Sequence, residues 1–402
     1  MHPVSPSGEK RERAPGADMG GAMLDLILTL LALLCLAAAG LPAGLAAMNL
    51  LALRTPAPVA DDGLVSILIP ARDEAANIAA TVRTALASTG VPVEVIVGDD
   101  HSTDGTPEIV RGIGDPRLRL APVPDLPDGW TGKNHACAHL ASLSRGRSLL
   151  FIDADVRLEP GAAAALAAHA RRAGAALVSG VPRQRVDTLG EALTVPMIGF
   201  LLVGYLPVPL MRRRPDPSLG AACGQLMLCD AAAYAAVGGH GAVRTSLHDG
   251  VRLPRAFRRS GYRTDLVRAA GLATCRMYDG FRTAWAGFSK NAHEGMATPR
   301  ALPVWTALLG LGHVVPPLLV AAGLLGLVPP TATALAGLAL ALALSLATRL
   351  AITIGAREPL ASVPLHPAAV LVALAIQWNV LLRRERAGAA TWKGRRYPVG
   401  GP

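Results

Sequence analysis

The stretch VSILIPARDEAANIAATVRTALASTGVPVEVIVGDDHSTDGTPEIV, residues 65–110, decides the fold. It opens on VSILIPA (Val65–Ala71), a continuous apolar run of strand length. Asp73–Ser88 then carries apolar residues at helical spacing, and VEVIVGDD (Val93–Asp100) is a second strand ending in two acids. STDGTPEIV starts a helix from a Ser/Thr/Asp cap, with Pro107 in its first turn. Downstream, LRLAPV (Leu118–Val123) reads as a strand, GKNHACAHLASLS (Gly132–Ser144) as a helix and SLLFIDADV (Ser148–Val156) as a fourth strand. Strands alternating with helices predict a mostly parallel sheet covered by helices, an α/β fold. Such sheets bind ligands at the carboxyl ends of their strands, where Asp99, Asp100, Asp153 and Asp155 fall.

Outside this core the chain is strongly apolar. Hydrophobic residues make up 51% of its 402 residues and charged residues only 17%, well below the roughly one quarter typical of soluble domains. Residues 1–22 are polar and read as a disordered N-terminus. Residues 23–53 are long enough for one membrane helix, kinked at Gly40-Leu41-Pro42. Residues 64–300 are globular in style, and 302–382 hold three apolar runs, read as two to three transmembrane or interfacial helices. The tail, 383–402, is basic, which by the positive-inside rule places it in the cytosol. A cytosolic globular part reaches a cytosolic tail only through an even number of crossings, so one of the three runs is expected not to cross. The Pro-rich start of the third makes it the first suspect. The net charge of +10 suits an anionic membrane surface or phosphate-bearing ligands. With spread-out basic residues and 4% aromatics, nucleic acid is not expected as a partner. The five cysteines form no C-x-x-C pair.

The acids stand in a telling order. Strand one ends in PARDEAANI, strand two in GDDHSTDGT, a loop carries GKNHA and strand four ends in DAD. Two carboxylates one residue apart at a strand end suit a hard divalent cation and its diphosphate. No phosphate-binding glycine loop is present to do that work instead. In this order of motifs the chain resembles the family 2 glycosyltransferases over roughly Leu64 to Asn291. The resemblance implies a GT-A nucleotide-diphospho-sugar transferase domain, here between N- and C-terminal transmembrane helices. It implies that Pro70, Arg72 and Glu74 border the nucleoside and that Asp99 or Asp100 contacts the base. Lys133 would lie near the diphosphate, and Asp153 and Asp155 would face the ribose and the metal, Mg2+ or Mn2+.

The second half carries the acceptor side. In GAACGQLMLCDAAAYAAVGGH (Gly220–His240), Gly224-Gln225 and Gly238-Gly239-His240 match the resemblance, offering Gln225 and His240 as acceptor contacts. The glycines 238 and 239 also suit tight turns alone. The family usually has Glu-Asp where this chain has His248-Asp249, which makes Asp249 the expected catalytic base and leaves the role of the preceding residue open. Processive synthases carry Q-x-x-R-W near residue 282, but this chain has Arg282-x-x-Trp285, so single-sugar transfer is expected. RMYDGFRTAWAGFSKN (Arg276–Asn291) and TWKGRRY (Thr391–Tyr397) resemble membrane glycosyltransferases associated with hopanoid and carotenoid biosynthesis. Trp285 and Lys290 either line the mouth of the site or anchor the interface. Residues 192–211 read as an interfacial helix within the catalytic domain, with a buried core helix as the competing reading.

The expected protein is a multi-pass membrane enzyme with a cytosolic catalytic domain. It would invert the anomeric centre while moving one sugar from a nucleotide-sugar donor, a UDP-hexose, to a lipid acceptor such as a carotenoid or hopanoid. Transfer to a polyprenyl phosphate is the alternative reaction. A transporter or sensor with a nucleotide-binding domain is the alternative class, disfavoured by the scarcity of ionisable residues in the apolar runs, His313 and Arg349 being exceptions.

Overall fold

The computed structural model describes residues 16–328, 330–387, 389–393 and 395–398. The first strands form where the apolar runs predict them: β1 (Val65–Ala71), β2 (Val93–Asp99), β3 (Leu118–Pro122) and β4 (Ser148–Ile152). The run expected to reach Val156 is broken, because Asp153-Ala154-Asp155 turns the chain into a separate short strand, β5 (Val156–Leu158). Further short strands follow as β6 (Leu177–Ser179), β7 (Arg183–Gln184), β8 (Leu226–Asp230), β9 (Thr264–Leu266) and β10 (Ala273–Cys275). The main sheet runs in the order β3-β2-β1-β4-β8-β6-β9. Its β1 to β4 half is parallel, whereas β8 lies antiparallel to both neighbours. A small second sheet orders β5-β10-β7.

Alternation along each strand divides the core into two layers. Val65, Ile67 and Ile69 of β1 pack under the helices Ile78–Leu86 and Ala162–Ala173. Leu68, Ile96 and Phe151 face the opposite layer, built by Gly132–Leu143, Ala231–Val237 and Asp249–Arg259. The parallel strands therefore end together at one rim, which carries the acids.

The helix expected from Asp73 begins only at Ile78. Residues 73–75 instead form a turn whose amides are held by side chains from beyond β2. Ser102 Oγ accepts from Asp73 N (3.0 Å), Thr106 Oγ1 from Glu74 N (2.8 Å) and Asp104 Oδ2 from Ala75 N (2.8 Å). Asp73 itself sits at φ +52. Much of the GDDHSTDGT motif is thus a clamp on the neighbouring strand's terminal loop.

Four helices are long and apolar enough to cross a membrane: Gly21–Ala52, Ala301–Leu324, Ala332–Ala356 and His366–Arg383. The first belongs to one helix, Gly16–Ala52, that continues through Pro42. Residues 16–22, expected to be disordered, are its first turns; residues 1–15 lie outside the described residues. Large apolar side chains such as Leu26, Leu30 and Leu33 are exposed along it, as lipid contact requires. Residues 192–211 are not a single helix. Pro196 and Pro207 divide the segment into Leu189–Ala192, Met197–Tyr205 and Val208–Arg213. Asn49 of the first long helix pins that break, donating to Val203 O (2.7 Å) and Leu206 O (2.6 Å) and accepting from Val208 N (3.1 Å).

Three contacts fix where the long helices end. Arg212 donates to Ala52 O (3.1 Å), so the first long helix finishes at the catalytic domain. Arg183 donates to Arg357 O (3.1 Å), so the pair Ala301–Leu324 and Ala332–Ala356 leaves the domain and returns to it. The helix His366–Ala387 starts near that return point and leads into a hairpin of β11 (Ala389–Trp392) and β12 (Arg395–Pro398). Lys393, at the turn of this hairpin, bonds to Glu74 of the domain (2.5 Å). The tail was not expected to hold any strand.

Candidate active site

The rim of the sheet gathers the acids around one lysine. Lys133 lies in the first turn of the helix Gly132–Leu143. Its Nζ is 2.7 Å from Asp153 Oδ1 and 3.0 Å from Asp249 Oδ2, and it also donates to Gly224 O at 3.0 Å. Burial opposes the lysine's charge, but the two carboxylates outweigh it and hold its pKa well above the ordinary value. Burial likewise opposes the charge on Asp249, and Lys133, with His240 and His248 beyond it, pulls the carboxyl well below the usual range. Asp249 therefore stands ionised, with an ammonium as its counter-charge.

Asp249 starts the helix Asp249–Arg259 and is nearly buried. Gly224 makes room for it: a Cβ there would lie 2.5 Å from Asp249 Oδ1. The loop leading to Asp249 hangs from two polar hooks. Asn134 Nδ2 donates to Val243 O (2.8 Å) and Ser246 O (2.9 Å). Glu294 accepts from Leu247 N (2.6 Å), Ser246 Oγ (2.5 Å) and Arg252 Nε (3.1 Å). Glu294 was not singled out in the sequence, where nothing but a lone acid after a helix marks it.

Asp155 has the opposite electrostatics to Asp249. Burial pushes its carboxyl up to about 7, helped by the charges of Asp153 and Glu74. Its Oδ1 is buried without a hydrogen-bond partner. A carboxylate so placed, beside a second one on Asp153, is the kind of group a divalent cation stabilises. Among the described residues no three His, Cys, Asp or Glu side chains converge as a ligand set. A cation at Asp153 and Asp155 would thus complete its coordination from the ligand and solvent, the usual arrangement for a metal bound with a diphosphate.

The nucleoside-side residues meet as well. Pro70 and Arg72 follow one another at the end of β1, and Arg72 Nη1 donates to Asp100 O (2.6 Å). Asp100 is buried, and both its oxygens take a two-pronged ion pair from Arg395 (2.5 and 2.9 Å). Asp99 keeps a partly exposed side chain, with Ser102 N donating to its Oδ1 at 3.3 Å. Lys290, on the helix Phe281–Asn291, is drawn into the same field. Burial and the nearby Lys133 pull its pKa down to about 8, against Asp153 and Asp249.

Two of the expected acceptor contacts are placed differently. Gln225 is buried: Gln184 Nε2 donates to its Oε1 (2.8 Å), and its Nε2 donates to Cys275 Sγ (3.1 Å). Its amide ties β8 to the small sheet, because a buried amide must spend its hydrogen bonds on neighbours. His240 is fully buried against Phe151, with its ring nitrogen 2.7 Å from Tyr234 Oη, and burial lowers its pKa to about 4. It is held in the core rather than opening toward a ligand. Trp285 packs on Phe281, ring centres 5.7 Å apart. Gly238 and Gly239 do serve a turn, at φ +81 and +50.

Residues 66–235 match the family model described as Glycosyl transferase family 2. The matched segment holds the strands β1 to β4 with Asp99, Asp100, Asp153 and Asp155 at their ends. A 4,4'-diaponeurosporenoate glycosyltransferase of Staphylococcus haemolyticus is 29% identical over 237 residues, 58% of this chain and 62% of that protein. Its counterpart in Staphylococcus aureus strain USA300 is 28% identical over 236 residues, 58% and 61% of the two chains. The chain thus spans about three fifths of the length of these curated relatives. Among solved structures it resembles a mannosyltransferase from Pyrobaculum calidifontis determined with GDP-Man and Mn2+. That likeness has a TM-score of 0.52 at 21% identity and covers 87% of this chain and 99% of the other. The domain has the GT-A fold, a mixed α/β sheet, with apolar helices before and after it.

Proposed function

We propose that this protein is a membrane-bound, inverting family 2 glycosyltransferase that moves one sugar from a nucleotide-sugar, a UDP-hexose, to a lipid acceptor such as a carotenoid or hopanoid. One observation carries the reading: Lys133 joins Asp153 on the donor side to Asp249 on the acceptor side in a single buried ion cluster. The names of the staphylococcal relatives support a carotenoid-like acceptor.

Each residue then has a chemical task. Asp99 reads the base, its side chain being partly exposed where that of Asp100 is tied up. Asp153 and Asp155 would hold Mg2+ or Mn2+, which supplies charge neutralisation for the departing diphosphate when bound. Lys133 and Lys290 add fixed positive charge along the same path. Asp249 accepts the acceptor's hydroxyl proton as its oxygen attacks the anomeric carbon. A base on one face and a leaving group on the other give a single displacement with inversion.

The helix ends support three crossings, by Gly21–Ala52, Ala301–Leu324 and Ala332–Ala356. The helix from His366 would lie along the interface, since His366 at its start packs on Phe200 and its end leads to Lys393, which bonds to Glu74. This arrangement would give an even number of crossings after the domain and keep the tail in the domain's compartment. The basic tail supports the cytosol as that compartment.

The test is nucleotide release from UDP- and GDP-sugars by membranes containing extracted terpenoid lipids, with Mn2+, Mg2+ or EDTA. Release that needs a metal, the lipid fraction and Asp153 is expected. Release unchanged by lipid, or none with any donor and lipid pair, would refute the proposal.

A further inference from the structure

The C-terminal hairpin lies directly on the donor end of the site. Lys393 Nζ donates to Arg72 O (2.5 Å), Asp73 O (3.2 Å) and Glu74 Oε1 (2.5 Å), and Arg72 Nε donates back to Lys393 O (3.2 Å). Arg395 forks onto both oxygens of Asp100. These contacts cap the carboxyl ends of β1 and β2, where this class of sheet takes its ligand. They also join residues some three hundred positions apart in sequence.

Such contacts are more than a tail resting on a surface. Asp100 is buried as a carboxylate, which is tolerable only with a partner of matching geometry, and the planar guanidinium supplies it. Arg72 donates to the backbone of both Asp100 and Lys393, so the hairpin and the end of β2 are held by one side chain. Charge points the same way. The donor end holds Glu74, Asp99, Asp100, Asp153 and Asp155, against Arg72, Lys133 and Lys290 from the domain itself. A diphosphate entering that set would meet excess negative charge. Lys393 and Arg395 offset two of the five acids.

We propose that the hairpin is the closing wall of the donor site and must be seated for the nucleotide to bind. This rests on the glycosyltransferase reading above. Arg395 is a positioning residue: it fixes Asp100 and, through it, the loop that carries Asp99. Lys393 neutralises Glu74 and brings a third ammonium to the diphosphate path beside Lys133 and Lys290. The wall is tethered to the helix His366–Ala387, so donor binding is tied to the seating of that helix on the domain.

The experiment uses full-length protein in detergent. Binding of UDP, GDP, ADP and CDP with Mn2+ is measured by calorimetry for the wild type and for Arg395→Ala, Arg395→Lys and Lys393→Ala. Melting without nucleotide checks that each variant folds. Arg395→Ala should melt somewhat lower, since it leaves Asp100 unpaired, yet stay folded at the temperature of the binding assay and weaken the preferred nucleotide about tenfold or more. Arg395→Lys should recover part of the loss, since it restores the charge but not the fork. Nucleotide should also slow tryptic cleavage at Lys393 and Arg395. Variants that bind nucleotide as tightly as the wild type, or tighter, would overturn the proposal, the tighter case marking the hairpin as a plug. Faster cleavage with nucleotide would overturn it too. A wild type that binds none of the four would sink the donor reading itself, before any variant is compared.

Discussion

Replacing Asp155 by Asn should stabilise the protein when metal is absent. The Asp155 carboxyl sits near 7 in the folded protein against an ordinary value of 3.8. Below 3.8 both folded and unfolded chains hold the proton, and the group contributes nothing. Between the two values the folded chain keeps a proton that the unfolded chain has released, so stability falls as pH rises; above 7 the full cost is in place. A difference of about 3 units corresponds to a ceiling of about 4 kcal/mol. Partial exposure and sharing of charge with Asp153 and Glu74 reduce this to roughly 2 kcal/mol at pH 8. For a domain of this size that is about 4–8 °C in melting temperature. The assay is thermal melting of detergent-solubilised wild type and Asp155→Asn from pH 5 to 8, in EDTA and in Mn2+. The wild type in EDTA should lose stability toward pH 8 relative to the variant and regain it with Mn2+. Asp155→Asn should melt higher in EDTA and ignore Mn2+. A variant that melts lower than wild type in EDTA at pH 8, together with a wild type blind to Mn2+, would refute both the strained carboxylate and its cation.

Other outcomes follow from the same cluster. Asp249→Asn should lower transfer to a hydroxyl acceptor by about 10²–10⁴-fold, with nucleotide binding kept, whereas transfer to a polyprenyl phosphate should fall far less; single-turnover assays with both acceptors check this. Lys133→Ala removes the charge that holds Asp249 ionised, so the acid limb of the rate profile should move to higher pH, and an unmoved limb would disprove the pairing. Gly224→Ala drives a methyl against Asp249 and should cost at least tenfold in activity with little loss of fold, as read by activity and melting together. Glu294→Gln should loosen the 246–248 loop and reduce activity several-fold, while Mn2+-dependent nucleotide binding stays intact.

The parallel half of the sheet was legible because each of its strands is a long buried run closed by polar residues. Val65–Ala71 and Val93–Asp99 need only hydrophobic patterning to be placed, and their terminal acids only the rule for ligands on open sheets. The strands β6, β7, β9 and β10 were not legible. Each has two or three residues and forms only because a neighbouring strand supplies the partners, so no local pattern marks it. Lys133 and Asp249 lie 116 positions apart, and only the resemblance brought them into one site; no spacing rule could. The clearest miss is the tail. KGRRYP reads as charge near a membrane, and its strand pairing shows only once Asp100 and Glu74 are there to receive Arg395 and Lys393. Gln225 and His240 erred in the other direction: position beside a motif suggested ligand contact, while burial gives both to the core.

The acid cluster and the membrane segments are joined by covalent chain and by packing, which bears on how an apolar acceptor could be presented to a polar site. Asp249 follows the loop that Glu294 holds through Ser246 and Leu247. Glu294 itself lies just beyond the helix that carries Trp285 and Lys290. Ala292 and Ala297, on either side of it, pack on Val380 of the helix that leads into the hairpin. The last turns of that helix therefore both touch the support of the base and lead into the hairpin. On the proposed function, a short rigid link of this kind would hold the base and the donor in register as an acceptor enters from lipid, and orientation of that sort is where much of an enzyme's rate advantage arises.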